Sequence, residues 1–262
     1  MTDIAAFIDR LSRETGRLLK GYFRAEAGTE ARESRYKPDR TLLTQADLAS
    51  NAFISGQIRE QFPDDDILSE EAVTAFPLDG RPTWIVDPLD GTTNFEQGLH
   101  HWGVSIARVV DGRPQAAALA FPLLDECFTA FAGGGARLNG RQLQVPPAGS
   151  HLVSFFLCDS RVNRGYTAEI PYKPRILGSA AYNFCAVAKG SAVIGFESIP
   201  RIWDIAASWL VLKEAGGAVA ALNGPVFPLE PGKDYGRFPI PLIGAADEGL
   251  LAEAIGKIVL KK

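Results

Sequence analysis

Cysteine is scarce in this sequence, and long apolar runs are missing from it. The three cysteines, Cys127, Cys158 and Cys185, stand far apart, which excludes a disulfide framework and a paired-cysteine metal site. We expect them to be small buried hydrophobic residues. No run of about eighteen consecutive apolar residues occurs, so the sequence predicts no membrane span, and a reducing cytoplasm is the expected location.

The first 23 residues also lack the continuous apolar segment that a signal peptide needs. Apolar residues recur there at helical spacing, at Ile4, Ile8, Leu11 and Leu18, and charged residues separate them. This pattern predicts an amphipathic helix at the start of the chain.

An excess of positive charge is absent as well. The chain carries 31 acidic and 27 basic residues, a formal net charge of -4. That balance argues against a protein whose main task is to bind nucleic acid or an anionic membrane surface. Apolar residues make up 46% and charged residues 22% of the chain, which is typical of a folded globular protein.

The order of sequence patterns predicts a mixed architecture. A second helix is expected between Thr44, a capping residue, and Pro63. Strands separated by turns at Asp111-Gly112 and Asn139-Gly140 predict an antiparallel meander over residues 102–145. Strands and helices alternate after residue 150. Because no linker interrupts the chain, we expect one domain over 1–262, with an N-terminal α+β half, 1–147, and a C-terminal α/β half, 148–262.

Acidic residues mark the ends of several predicted elements. Asp87 and Asp90 end the strand "WIVDPLD", Glu70 ends another strand, and Asp204 begins a helix. Each has a simple structural explanation, such as a favourable helix dipole for Asp204 or a capping box for Asp47. Carboxylates that converged without a cation would repel one another severely. Because all of these ligands are oxygen atoms, we expect a hard divalent ion, with Mg²⁺ as the leading candidate.

The residues after Asp90 suit a phosphate group. Gly91, Thr92 and Thr93 open a segment that can start a helix, where unpaired N–H groups and the positive end of the dipole attract anions. Glycine lets an anion approach the backbone closely. We interpret the two aspartates as ligands of metals that hold a phosphate.

The stretch "DPLDGTTNF", preceded by "SEEAV" and followed about 110 residues later by "WDIAASWLVLKEAGG", resembles the inositol monophosphatase family of Mg²⁺-dependent, Li⁺-sensitive phosphatases. The resemblance covers nearly the whole chain. It implies an α+β fold, the layered αβαβα sandwich of the inositol monophosphatase and fructose-1,6-bisphosphatase type, commonly as a homodimer.

The resemblance also implies a set of metal ligands at matching positions. Glu70, Asp87 and the carbonyl of Leu89 would hold the first Mg²⁺, and Asp87, Asp90 and Asp204 the second. Glu70 would help to hold a third, weaker ion, so two and possibly three ions per subunit are implied. One departure from the family is Ser69, where glycine often precedes the paired glutamates, and its small side chain leaves the assignment of Glu70 unchanged.

The mechanism implied by the resemblance is direct attack of water without a phosphoenzyme. Glu70 and Thr92 would orient the water, and Thr92 would pass a hydrogen bond to Asp47. The N–H groups of Gly91 and Thr92 would donate to the phosphate. Asp90 and Asp204 would hold it indirectly, through the metals that they bind.

The resemblance implies a small phosphate ester as the substrate and leaves the identity of the ester open. Glu197 stands seven residues before Asp204, where family members that use inositol contact ring hydroxyls, and Gly178, Ser179 and Ala180 would line the same side. Inositol 1-phosphate is the first expectation. Glu197 could equally meet the amine of histidinol phosphate, or be an exposed charge.

Basic residues in the stretch 159–175 raise a further alternative. Arg161, Arg164, Lys173 and Arg175 could form a second phosphate site for fructose 1,6-bisphosphate, or a solvated loop or dimer contact. Two readings from other classes also remain: a phosphatase-like protein that acts as an interaction partner, and a two-metal nuclease, which the acidic balance disfavours.

Overall fold

The computed structural model describes residues 3–23, 34–36, 42–72, 74–147 and 153–261. Seven helices occur in the described part of the chain: α1 Ile4–Tyr22, α2 Gln45–Gln61, α3 Thr92–Glu96, α4 Val162–Gly165, α5 Ala180–Ala188, α6 Ile202–Glu214 and α7 Glu248–Lys257. Among these residues, no helix combines the length and the hydrophobicity that a membrane span requires.

The strands of the first half form a small pair and a large sheet. β1 and β2 pair antiparallel, and the other seven strands form a sheet in the order β3 to β9. The bounds of these strands are β1 Ser34–Tyr36, β2 Leu42–Thr44, β3 Asp66–Ser69, β4 Thr83–Asp90, β5 Gly103–Val110, β6 Arg113–Phe121, β7 Glu126–Phe131, β8 Gly135–Leu138 and β9 Arg141–Leu143. β5 to β9 pair antiparallel in sequence order, so the predicted meander is confirmed.

The remaining strands form a five-stranded sheet and a second small pair. The larger sheet has the order β12-β10-β13-β15-β14, and β11 pairs with β16. Their bounds are β10 Phe155–Cys158, β11 Tyr166–Ala168, β12 Lys173–Arg175, β13 Ile194–Glu197, β14 Ala218–Ala221, β15 Leu242–Ala245 and β16 Ile258–Leu260. β10 pairs parallel with β12 and with β13, whereas β13, β15 and β14 pair antiparallel.

Helices and sheets alternate as five layers. α1 and α2 pack on one face of the seven-stranded sheet, and α5 and α6 lie between that sheet and the five-stranded sheet, which α7 contacts beyond them. Three apolar cores fill the spaces between the layers. Trp84, Phe184 and Phe196 are buried members of the three cores. This is the predicted α+β sandwich.

Helix α2 begins as its sequence predicts. The Thr44 hydroxyl accepts hydrogen bonds from the N–H groups of Ala46 at 3.1 Å and Asp47 at 3.3 Å. The Asp47 carboxylate accepts from the Thr44 N–H at 2.7 Å and from its hydroxyl at 2.6 Å. This reciprocal capping box satisfies N–H groups that a helix start otherwise leaves unpaired. It also fixes the Asp47 carboxylate.

Replacing Thr44 by alanine removes the hydroxyl of this cap. We expect Thr44→Ala to lower the free energy of unfolding by about 1 kcal/mol, because two N–H groups and one carboxylate oxygen lose a buried partner. Urea unfolding followed by circular dichroism measures the change. Thr44→Ser, which keeps the hydroxyl, is the matched control, and an equal loss in both variants would contradict the capping explanation.

Candidate active site

Strand β4 ends in a bulge that carries the two central aspartates. All eight residues of β4 are buried. Asp87 lies opposite Ser105 of β5 and Asp90 lies opposite Gly103, so three steps on β4 match two on β5. One extra residue in a strand bends it and redirects its side chains. The strand alternation of Asp87 and Asp90 is thereby broken, and both carboxylates join one cluster.

Asp204 completes the cluster from a different layer. Its carboxylate lies in the first turn of α6 and accepts a hydrogen bond from the Arg201 N–H at 2.6 Å. Ligand oxygens of Asp87, Asp90 and Asp204 lie within 4.8 Å of one another. The structure therefore brings together three of the predicted metal ligands, which are 117 residues apart at most.

Glu70 and Leu89, the other two predicted ligands, line the cavity that contains the cluster. Glu70 follows β3, and its N–H donates to the Val86 carbonyl at 3.3 Å, which places it beside β4. The Leu89 N–H donates to Asp87 Oδ1 at 3.0 Å. The Leu89 carbonyl accepts from the Thr92 hydroxyl at 3.0 Å.

The electrostatics of the cluster favour a cation. Burial, together with repulsion by Glu70, raises the pKa of Asp87 well above its ordinary value, that of Asp90 to about 6 and that of Asp204 to about 8. Carboxylate and carbonyl oxygens are the ligands that Mg²⁺ prefers in proteins. The residues present fit such an ion.

The turn after Asp90 requires glycine. Gly91 has φ 80, and a Cβ atom there would lie 2.7 Å from the His101 carbonyl oxygen, so the left-handed conformation and the close backbone both exclude larger residues. The Thr92 hydroxyl, in the first turn of α3, also lies 3.3 Å from Asp47 Oδ1. The predicted contact between Thr92 and Asp47 is therefore present.

Helix α5 connects the second half of the chain to Asp90. The Ser179 hydroxyl donates a short hydrogen bond to Asp90, and the Ala180 N–H donates to Asp90 Oδ1 at 3.2 Å. Gly178, with φ 77, lies so close to Asn94 that a Cβ atom would meet its side chain at 2.7 Å. The three predicted residues 178–180 thus lie at the cluster.

The cavity around the cluster has a volume of about 930 Å³ and includes Glu197 in its wall. Glu197 is 5% exposed, so the alternative of an exposed charge is wrong. Of the four basic residues that could form a second phosphate site, a solvated loop or a dimer contact, Arg161 lines the cavity, whereas Arg164, Lys173 and Arg175 do not. Arg175 instead lies over the Phe155 ring at 4.5 Å.

Sequence reasoning missed two polar residues of this wall. Asn183 lies in α5, and its Nδ2 donates to Glu197 Oε1 at 2.5 Å. Asp159 follows β10 and accepts from the Ser198 N–H at 2.5 Å. A polar residue inside the apolar helix sequence "AAYNFCAVA" was the available signal for Asn183. The sequence contains no comparable signal for Asp159, because its place in the cavity wall depends on how the strands pair.

The layered fold and the buried carboxylate cluster define a candidate metal-dependent hydrolase. A family model described as "Inositol monophosphatase family" matches residues 1–258. Inositol monophosphatase 3 of Solanum lycopersicum is 34% identical over 227 residues, 78% of this chain and 85% of the relative. Nus factor SuhB of Pasteurella multocida is 35% identical over 229 residues, 82% and 84% of the two chains.

Solved structures of inositol monophosphatases have the same fold as this chain. The Thermotoga maritima IMPase superposes with a TM-score of 0.79 at 29% identity and covers 97% of this chain and 95% of its own. The chain belongs to the inositol monophosphatase family. The predicted resemblance is confirmed, and with it a phosphatase family that is Mg²⁺-dependent.

The raised pKa values predict that stability without metal depends on pH. The folded state favours the protonated carboxyls, so their stabilising contribution is complete below a pH of about 4 and is lost as pH rises through about 6 for Asp90 and about 8 for Asp204. We expect the Tm in EDTA to fall between pH 5 and pH 8. Added Mg²⁺ should raise the Tm more at pH 8, where it competes with fewer protons.

Differential scanning fluorimetry of the native protein and Asp204→Asn measures this effect. The variant removes one titrating carboxyl, so its Tm in EDTA should fall less between pH 5 and pH 8. Asp111→Asn, in an exposed turn at φ 50 that suits asparagine, is the matched control. An identical pH dependence in native protein and Asp204→Asn would contradict the assignment.

Proposed function

We propose that this protein is a Mg²⁺-dependent phosphomonoesterase that hydrolyses a small polyol phosphate, with inositol 1-phosphate as the leading substrate. The observation that carries the proposal is the cluster of Asp87, Asp90 and Asp204 in one cavity with Glu197. Family membership supports the reaction class. Buried Glu197 supports a substrate that offers hydrogen-bond donors, as a polyol does.

We assign the metals to the carboxylates already described. Asp87, Asp90 and Asp204 would hold one Mg²⁺, and Asp87, Glu70 and the Leu89 carbonyl another, with a third weaker ion at Glu70. When bound, Mg²⁺ supplies neutralisation of the phosphate charge and a lowered pKa for a water molecule. Without metal, the acidic cluster repels a phosphate. With Mg²⁺ bound, the same residues would form a phosphate site.

The roles of the other residues follow from their contacts. Glu70 and the Thr92 hydroxyl orient the attacking water, whose pKa a bound Mg²⁺ would lower. The Thr92 hydroxyl has two acceptors within reach, the Leu89 carbonyl at 3.0 Å and Asp47 Oδ1 at 3.3 Å, and Asp47 is the one that its capping box fixes. The N–H groups of Gly91 and Thr92 donate to the phosphate.

The substrate end of the cavity is assigned to α5 and β13. The backbone of Gly178, Ser179 and Ala180 lies beside Asp90 and faces the alcohol part of the ester. Glu197 accepts hydrogen bonds from that alcohol part. Fructose 1,6-bisphosphate and histidinol phosphate are alternative substrates of the same site.

A second candidate function is an interaction with other macromolecules. It is favoured by one observation, the 35% identity to a relative named Nus factor SuhB. The acidic net charge of -4 supports the prediction that this chain does not bind nucleic acid directly. We further propose a cytoplasmic homodimer that Li⁺ inhibits, as the family resemblance implies.

Phosphate release from a panel of esters tests the proposed function. The panel contains inositol 1-phosphate, fructose 1,6-bisphosphate, histidinol phosphate and a nucleotide bisphosphate, each with Mg²⁺ or EDTA. We expect turnover of at least one ester with Mg²⁺ and none with EDTA. Asp90→Asn should lower kcat by roughly 100-fold or more, because it weakens metal binding and the contact to Ser179.

The control for this experiment is Asp111→Asn, which changes the same functional group far from the cavity and should keep full activity. No turnover of any ester by a folded protein that binds Mg²⁺ would sink the small-ester assignment. In that case the interaction function would become the leading candidate.

A further inference from the structure

The face of helix α2 that meets the site is polar. Ser50 and Asn51 follow Asp47 by three and four residues, so the three side chains lie on one face of the helix, within about 6 Å along its axis. Asp47 is 1% exposed and Ser50 is fully buried. Polar side chains on the buried face of a helix are costly unless they find hydrogen-bond partners. The partners of these three residues all lie beside predicted site residues.

Ser50 contacts the bulge of β4. Its hydroxyl donates to the Pro88 carbonyl at 2.7 Å. Pro88 and Leu89 lie between Asp87 and Asp90, where the pairing register of β4 with β5 passes over both residues. The bulge therefore receives a hydrogen bond from α2 at the point where its register with the neighbouring strand is interrupted.

Asn51 contacts the turn that carries Glu70. The Ser69 hydroxyl donates to Asn51 Oδ1 at 2.7 Å and accepts from the Glu71 N–H at 3.4 Å. Ser69 is fully buried. Since Glu70 lies between Ser69 and Glu71, one buried hydroxyl connects both neighbours of Glu70 to α2.

Packing alone does not require these hydrogen bonds. A buried polar pair can often be replaced by two apolar groups of the same shape at little cost in stability. Hydrogen bonds differ from apolar contacts in being directional, so they fix the orientation of the backbone as well as its distance. Metal ligands need such precision, and the groups that hydrogen-bond to a ligand's surroundings influence the affinity for the metal.

We propose that Ser50 and Asn51 are positioning residues of the metal site. Ser50 fixes the bulge that carries the Leu89 carbonyl, and Asn51 fixes the turn that carries Glu70. Neither residue lines the cavity, so each acts through its partner. The inference rests on the proposed function and deepens it, because it names the element that sets the distance between the metal ligands of β4 and the carboxylate that follows β3.

Calorimetric titration of Mg²⁺ into the metal-free protein tests the proposal. Asn51→Ala removes the acceptor of the Ser69 hydroxyl, and Ser50→Ala removes the donor to the Pro88 carbonyl. We expect each variant to raise the Kd for Mg²⁺ roughly tenfold, because loss of a group that orients a ligand typically weakens metal binding to this extent. The Mg²⁺ concentration that gives half-maximal turnover should rise by the same factor.

A combination with Glu70→Gln separates positioning from a general loss of stability. If Asn51 acts through Glu70, Asn51→Ala should weaken Mg²⁺ binding no further in a protein that already carries Glu70→Gln. Ser50→Ala acts through β4 and should still weaken it there. Gln57→Ala is the matched control, since it removes an amide from a different face of the same helix, and it should bind Mg²⁺ like the native protein. If Asn51→Ala does not fold, Ser69→Ala removes the same hydrogen bond from its other partner.

The outcomes separate this inference from the proposed function. Unchanged Kd values for Mg²⁺ in Asn51→Ala and Ser50→Ala would overturn the inference, and ester hydrolysis by the native protein would then leave the phosphatase function intact. An equal loss of affinity from Asn51→Ala with and without Glu70→Gln would also overturn it. If no ester is hydrolysed, the proposed function fails, and the Mg²⁺ titrations still decide the inference.

Discussion

Repulsion among buried carboxylates at the end of β4 is the constraint on which this structure depends. Asp87 and Asp90 are buried, and ligand oxygens of Asp87, Asp90 and Asp204 lie within 4.8 Å of one another. Like charges at such distances interact strongly where the local dielectric is low. The apolar layers around them supply the stabilisation that holds them there. Protonation relieves this repulsion at low pH, and a divalent cation held by the three carboxylates would relieve it where they are ionised.

That constraint explains why the two sheets are joined around the site. Asp90 accepts from Ser179 and Ala180 of α5, and Ser105 of β5 donates to the carbonyl of Trp203 in α6 at 3.2 Å. Both links connect the large sheet to helices of the middle layer. A rigid frame is required because carboxylates that could move apart would relax their repulsion and lose the geometry for a metal.

Local sequence signals were sufficient for the parts of the fold that local interactions determine. The Thr44 cap, the second helix and the antiparallel meander follow from turn residues, capping residues and periodicity within short windows. Asp87 and Asp90 were recognised because they lie three residues apart beside glycine. Their redirection by a bulge was not predictable, since it depends on how β4 pairs with β5.

The adjacency of Asp159 and Glu197 is a feature that local sequence signals do not predict. Their parallel pairing joins residues 38 positions apart through strands of four residues each, and no local pattern specifies such a register. Asp159 lay within a stretch that reads as a basic surface loop. Only Arg161 among its four basic residues reaches the cavity, so the net charge of a segment did not indicate which of its side chains faces the site.

Chemistry and selectivity can therefore occupy separate elements of this fold. The carboxylates of β4 and α6 lie where two layers meet, and in the proposed function they act, through bound metal, on the phosphate that all candidate esters share. Asp159 and Glu197 lie at the ends of β10 and β13 and line the same cavity, where they would face the alcohol part, which differs among the esters. Because β10 and β13 belong to the five-stranded sheet and Asp87 and Asp90 to the seven-stranded sheet, the residues that would face the alcohol part can change without a change in the strand that carries the two aspartates.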